Sequence, residues 1–258
     1  MPAAFAVRQV RTIGALMMRE LITRYGRRGL GFLWLVGEPL IFCLGVLVMW
    51  SVIRPDYEHG LRIGPFLMTG YMSLVLMRHQ ISYSLAAVQA NIGLLHHRQI
   101  SILHLFIARN LLEIAGATLA FFIVYVLLGL LGQVSWPHDI LLLYAGWGTL
   151  AFLGFGTALV FSGLAIRFDV MERVVPLLTY LLIPLSGVFF MAAWIPAHFR
   201  ELYLRVPYPH PIEMIRAAVF GPFVETHYNP LYPLVWAVLL TIAGLLLLVD
   251  ARGRVEAE

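Results

Sequence analysis

Apolar runs of 20 residues or more recur along this chain, at roughly 31–53, 65–88, 105–131, 140–166, 174–193 and 231–249. A helix needs about 20 mostly apolar residues to cross the hydrocarbon core of a bilayer, so each run reads as a transmembrane span. The breaks carry turn chemistry: Arg54-Pro55-Asp56, Ser135-Trp136-Pro137-His138-Asp139, Arg167-Phe168-Asp169 and Asn229-Pro230. Composition agrees. The 258 residues are 60% hydrophobic and only 12% charged, about half the charged content of a soluble domain. An ordinary soluble enzyme and a disordered chain are both excluded. The fold expected is an all-α membrane protein with six transmembrane helices.

Charge narrows the chemistry. All 18 basic residues are Arg and none is Lys. That removes Schiff-base chemistry and the phosphate loop whose Lys reaches nucleotide phosphates. If ATP drives this protein, another chain must bind it. No catalytic residue, resident cofactor or nucleic-acid partner is expected. The single cysteine, Cys43, allows no internal disulfide and no Cys-based metal site.

Arg placement orients the spans. With the N-terminus inside, twelve Arg fall on inner segments and five on outer ones, while Arg78 lies within a span. Arg accumulates on the cytoplasmic side, so both termini are expected in the cytoplasm of a multi-pass protein. No internal repeat is visible, which argues against a transporter built from inverted repeats.

Two segments depart from the spanning pattern. Residues 5–28 carry Arg8, Arg11, Arg19 and Arg24 and lack the apolar core of a signal peptide. Val10, Ile13, Met17 and Leu21 cluster on one helical face, opposite Arg8, Thr12, Arg19 and Thr23. This is the pattern of an amphipathic helix lying in the membrane interface. A plain surface helix shares the pattern. Residues 194–229 are too long for a turn and too apolar for a solvated loop. Two short helices about a corner rich in proline (Pro207, Pro209, Pro211) fit them best. They are too short to span, so they are expected to be re-entrant on the outer side, as a gate or pore lining. A flat interfacial pair is the alternative.

Ser162-Gly163 and Ser186-Gly187 lack the preceding Gly of an intramembrane serine protease turn. His96-His97 with His104 has no carboxylate at helical spacing, so no metal site is expected. Gly146-Trp147-Gly148 and Gly154-Phe155-Gly156 sit in an apolar span, where they let helices approach closely. Segment 91–104 is short, amphipathic and cytoplasmic. It reads either as a docking helix parallel to the membrane or as a plain connector. Glu38, Arg78 and Glu113 share one depth in the membrane, about 11–15 Å from the inner end at 1.5 Å per residue. An isolated charge there is costly, so Arg78 is expected to pair with Glu38 or Glu113.

A resemblance then attaches to particular residues. Arg19-Glu20-Leu21-Ile22-Thr23-Arg24-Tyr25-Gly26-Arg27-Arg28, running into Leu30-Gly31-Phe32-Leu33-Trp34 and Glu38-Pro39-Leu40, resembles the start of type-2 ABC exporter permeases for polysaccharides. Ser186-Gly187-Val188-Phe189-Phe190, Ile195-Pro196 and Pro209-His210-Pro211-Ile212-Glu213-Met214-Ile215-Arg216 resemble that family's outer re-entrant region. The match covers the chain as one ABC-2 type transmembrane domain, 1–258: interfacial helix 5–28, spans one to five in 31–193, outer helices 194–229, and span six at 231–249. It resembles most the inner-membrane permeases of Gram-negative capsule export. O-antigen and teichoic-acid permeases are the alternatives, and a six-span intramembrane serine protease or a non-ABC channel or scaffold is the alternative of another class.

The resemblance implies a homodimer in the bacterial inner membrane. It also implies two copies of an ABC ATPase that holds ATP and Mg, and a periplasmic partner leading to the outer membrane. The substrate implied is a lipid-linked glycan. Segment 91–104 would be the ATPase coupling helix, with Leu94, Leu95, His96, His97 and Arg98. Substrate-path candidates are Arg24, Tyr25, Arg27, Arg28, Trp34, Glu38, Tyr71, Arg78, Trp147, Tyr180 and Trp194, since aromatic rings stack on sugar faces and Arg attracts acidic groups. Belt and packing roles compete for each aromatic. Pro196, Pro209, Glu213 and Arg216 would form an outer gate.

Overall fold

Side-chain caps set the starts of the two longest helices. Ser101 accepts from the His104 N–H at 3.4 Å, while its own N–H donates to His104 Nδ1 at 3.1 Å. This is a capping box with His in the reciprocal place. Asp139 Oδ1 accepts from the Leu142 N–H at 2.9 Å. The computed structural model describes the backbone of residues 2–25, 31–53, 57–58, 60–85, 91 and 100–255, and the side chains of 7–23, 33–53, 57, 60–85, 91 and 100–249. Arg27, Arg28, Leu94, Leu95, His96, His97 and Arg98 lie outside the described residues, as do the side chains of Arg24 and Tyr25.

Nine helices are described: α1 Pro2–Tyr25, α2 Gly31–Ile53, α3 Ile63–Leu85, α4 Ile102–Leu130, α5 Ile140–Arg167, α6 Met171–Ser186, α7 Ala197–Tyr203, α8 Pro209–Phe220 and α9 Leu231–Val255. A two-residue hairpin, β1 Tyr57–Glu58 and β2 Leu61–Arg62, precedes α3. The rest of the described chain is two short 3-10 helices, Ala192–Trp194 and Gly221–Phe223, with turns and irregular segments. Four helices are long and apolar enough to cross a membrane: Leu33–Ile53, Ile102–Leu130, Ile140–Arg167 and Leu231–Val249. These match four of the six expected runs.

The other two runs form helices with a different character. α3 has 23 residues, but Thr69, Ser73, Gln80 and Ser84 are buried along it. It runs through the middle of the bundle, against α2, α4, α5 and α6. α6 has only 16 residues and stops at Ser186, rather than continuing to 193. Gly187 ends it with φ 78°, a left-handed cap that glycine adopts without steric cost. The expected boundary fails there because hydropathy does not register a change of backbone handedness.

α9 lies along α5 through glycine contacts. A Cβ on Gly163 would stand 2.7 Å from Leu247 Cβ, and one on Gly156 would stand 3.0 Å from the Ala237 carbonyl. Small residues let helix axes approach closely inside a membrane. A Cβ on Gly154 would collide with the Gln80 side chain, whose Nε2 donates to the Ala151 carbonyl at 2.9 Å. Gly146 plays the same part against α8, whereas Gly148 faces open space. The expectation of close helix approach therefore holds at Gly146, Gly154 and Gly156 and not at Gly148.

α1 rests on α4, with Leu16 packed against Leu105 and Ala108, and Ile13 and Met17 beside them. Val10, placed on the same face by periodicity, is exposed. Glu20 is buried, 3.2 Å from Arg109 and 3.2 Å from Asn91.

Candidate functional site

One face of α3 is less buried than the rest. Met68, Met72, Met77, Gln80 and Ile81 are fully enclosed. Tyr71, Arg78, His79 and Tyr83 are half-buried. Spacings of 7, 8 and 12 residues spread these four over a broad sector of about 140° on a 3.6-residue helix, with Tyr71 and Arg78 at one side and His79 and Tyr83 at the other. The stripe meets polar and aromatic groups from three neighbouring helices. Tyr83 donates its hydroxyl to Glu38 of α2 at 2.9 Å and 3.1 Å. His79 stands edge-on to Tyr83, with centroids 5.1 Å apart, and its Nδ1 lies 3.3 Å from Glu113 of α4. Arg78 lies over the Tyr180 ring of α6, 4.8 Å from its centroid. Arg109 donates to the Tyr83 carbonyl at 2.6 Å and so connects the stripe to Glu20.

The expected pairing of Arg78 with Glu38 or Glu113 is not what the structure contains. Consecutive helical residues differ by about 100° in direction. His79 takes the direction of α4 and reaches Glu113, while Arg78 turns toward α6. Glu38 is held by a phenol instead.

The remaining predicted residues divide into separate places. Trp34 and Tyr180 are 54% and 57% exposed, so both offer a ring face outside the chain's own core. Trp147 is buried, donates to Thr118 Oγ1 at 2.8 Å and packs against Phe121. It borders a 540 Å³ apolar groove between α4 and α5, apart from the α3 stripe. Trp194 is half-buried and packs against Phe66, with centroids 5.0 Å apart. Ser162 and Ser186 are fully buried, and Ser186 donates to the Ile183 carbonyl, so neither is presented as a nucleophile.

The four outer-gate candidates do not act alike. Pro196 is exposed ahead of α7, whereas Pro209 is buried at the start of α8. Arg216 is fully buried. Its guanidinium donates to the Gly187, Val188 and Phe190 carbonyls at 2.8, 2.7 and 2.7 Å. It lies 4.5 Å from the Phe66 ring centroid and 3.6 Å from Glu213. Glu213 in turn accepts from the N–H groups of Ala192 at 3.4 Å and His227 at 3.1 Å. Burial pushes the Glu213 carboxyl above its ordinary range, opposed first by Arg216 and then by those N–H donors. Burial lowers the Arg216 guanidinium, opposed by Glu213. Together the two fasten the turn after α6 to α8. His210 lies between the Leu204 carbonyl, 2.8 Å from Nε2, and the Asn229 N–H, which donates to Nδ1 at 3.1 Å. Burial lowers its imidazole, the Leu204 carbonyl opposing.

Sequence reasoning missed Tyr83, His79, Arg109, Glu20 and Asn91 as members of the polar string. The signal lies in the recurrence of polar and aromatic residues at Tyr71, Arg78, His79 and Tyr83 within an otherwise apolar helix.

Residues 11–220 match the family described as ABC-2 type transporter. This chain belongs to the ABC-2 type transporter family. Over 250 residues it is 37% identical to the capsule polysaccharide export inner-membrane protein CtrC of Neisseria meningitidis serogroup A, covering 97% of this chain and 94% of that protein. It is 34% identical to the capsule polysaccharide export inner-membrane protein BexB of Haemophilus influenzae with the same coverage. It is 30% identical to the polysialic acid transport protein KpsM of Escherichia coli over 99% of this chain and 97% of that protein. As an ABC-2 member with apolar membrane-length helices, it is a multi-pass inner-membrane protein and a transport component rather than an enzyme. In that setting the α3 stripe is a set of charged and aromatic groups enclosed among membrane-length helices.

Proposed function

We propose that this chain is the permease subunit of an ATP-driven exporter that moves capsular polysaccharide across the inner membrane. The observation that carries this reading is the α3 stripe. A helix embedded among apolar helices would bury apolar side chains on every face if packing were its only task. Instead Tyr71, Arg78, His79 and Tyr83 share the face left half-open. A polymer that slides needs surfaces that hold sugars without fixing them. Aromatic rings stack on sugar faces, and guanidinium and imidazole groups offer hydrogen bonds at intervals along the path. The roles named for the relatives support the same reading.

The finer parts of the proposal follow. The chain works as a homodimer, with the stripe of each protomer turned toward the other and Trp34 and Tyr180 at the seam. Each protomer crosses the membrane six times, α3 and α6 supplying the second and fifth crossings. At 1.5 Å per residue α3 extends ~34 Å, enough to cross, and enclosure by neighbours makes its polar residues tolerable. α7 and α8 form a re-entrant pair on the outer side. Both termini face the cytoplasm, where α1 lies in the interface. ATP and Mg are bound by two copies of a separate ABC ATPase that engages segment 91–104. Leu94 and Leu95 supply an apolar ridge, with His96, His97 and Arg98 as polar anchors. The lipid-linked glycan enters beside Arg24, Tyr25, Arg27 and Arg28 and leaves to a periplasmic partner.

The test is a pull-down of the tagged chain from its native membrane, joined to a deletion of its gene. An ABC ATPase should copurify in equal proportion, and the deletion should leave glycan trapped inside the cell. Isolation without an ATPase, together with normal surface glycan in the deletion strain, would sink the proposal.

A further inference from the structure

Among the described arginines enclosed by the bundle, two face carboxylates: Arg109 lies 3.2 Å from Glu20 and Arg216 lies 3.6 Å from Glu213. Arg78 does not. The acids at its level are engaged elsewhere, Glu113 with His79 and Glu38 with Tyr83. Its contact is the Tyr180 ring at 4.8 Å, and its Nε is buried with no hydrogen-bond partner. Stacking on a ring uses the flat face of a guanidinium and leaves its in-plane N–H donors free. Those donors match an oxyanion, which they can hold through two parallel hydrogen bonds. Tyr180 is 57% exposed, so the pair sits at the open edge of the stripe rather than in the sealed core. A charge without a counter-charge at this depth is costly to keep, and an anionic visitor would relieve that cost.

We propose that Arg78, seated on Tyr180, is a subsite for the carboxylate or phosphate groups of an acidic glycan, so that the permease favours anionic over neutral chains. This deepens and rests on the export reading above. The tyrosine holds the guanidinium flat and aimed along the path. One acidic group after another is received and released, because a single half-buried arginine holds an anion without trapping it.

The experiment uses the whole permease–ATPase complex in nanodiscs of zwitterionic lipid. The probes are an oligogalacturonate and its carboxyl-reduced, neutral counterpart. The wild type should bind the acidic form about tenfold more tightly than the neutral one, the equivalent of a single favourable charged contact. Arg78→Gln should bring the two affinities together. Arg78→Lys should keep part of the preference, since it retains the charge but loses the flat fork. Monodisperse elution of each variant with its ATPase shows that the fold is intact. Binding of both probes with an unchanged ratio in Arg78→Gln would overturn this subsite and leave the export reading standing. Binding of neither probe by the wild type would overturn both. A second arm adds phosphatidylglycerol to the nanodiscs. The preference should persist; its disappearance would mean that lipid headgroups own the guanidinium, and the glycan subsite would fall.

Discussion

Arg216 and Arg78 are the same residue in two different settings. Arg216 is fully enclosed, with three carbonyls, one carboxylate and an aromatic ring around it. Arg78 is half-buried on a single aromatic ring, and no described group accepts a hydrogen bond from it. The Nε of both arginines is without a partner, so the difference lies in the Nη donors. The carbonyls taken by Arg216 lie in the turn after α6, where no helix or strand ladder supplies donors to the backbone. The guanidinium there completes the fold. Among the described residues no acceptor takes the donors of Arg78. In a membrane protein, burial and charge alone therefore do not mark a working residue. What separates a fastening arginine from a binding one is whether its donors are already spent.

The comparison breaks most easily at the fastening end. Replacing Arg216 with Met should strand Glu213 and three carbonyls at once. Breaking one partner of a buried pair costs about 3–5 kcal/mol, so the variant should be scarce in membranes and melt well below the wild type. Glu213→Gln should be milder, because its one amide oxygen still accepts from either Ala192 or His227, although the other N–H then faces an amide donor. Equal melting temperatures for Arg216→Met and the wild type would reduce the clamp to a decoration. Gly70 tests the same clamp from the other side. A Cβ there would collide with the Val188 carbonyl and stand 3.0 Å from Arg216 Nη2. Gly70→Val should destabilise by about 1–3 kcal/mol, the usual penalty of overpacking, as read by thermal unfolding in detergent. Arg78→Met should behave in the opposite manner. Its melting temperature should stay within the shift expected for about 1 kcal/mol, while export falls. A collapse of Arg78→Met as severe as that of Arg216→Met would erase the distinction drawn here.

Legibility in the sequence follows the same divide. α2, α4, α5 and α9 stand out from hydropathy because their apolar surfaces are continuous. α3 and α6 are harder to read as spans. α3 is polar because its neighbours enclose it, and α6 is cut short by the cap at Gly187. The short pair α7 and α8 is announced by proline spacing and apolar content. The candidate site is less legible. Arg78, Glu38 and Glu113 are visible as charges at one depth, but which acid meets which base depends on helix rotation. A turn of about 100° sends His79, not Arg78, to Glu113. Trp147 reads as a path residue and is instead tied to Thr118 beside a separate groove. The Arg216 carbonyls had no sequence signal at all, since backbone acceptors are the same at every residue.

The smallest expected effect lies at His210, in the fastened region, and is read through pH. Its Nδ1 accepts from the Asn229 N–H, so that nitrogen is unprotonated in the fold. The neutral ring then donates from Nε2 to the Leu204 carbonyl. Burial lowers its imidazole below the ordinary value of 6.5. The unfolded chain therefore takes up a proton at a higher pH than the folded one. The contribution of neutral His210 to stability is complete above about pH 6.5 and is lost as pH falls from there through the folded value. The melting temperature of the wild type should thus decline on acidification through this range. Glu213, whose carboxyl is raised by burial, contributes with the opposite sign, so the wild type alone does not isolate the histidine. His210→Asn does: the amide oxygen still accepts from Asn229 but binds no proton in this range. The difference between the two melting curves should be nearly constant above neutrality and should shrink as the medium becomes acidic. Parallel curves down to pH values well below the ordinary imidazole range would show that the folded and unfolded chains take up the proton alike, so that burial does not hold the ring neutral. The fastened region would then be looser than its hydrogen bonds imply, and its contrast with the open stripe around Arg78 weaker.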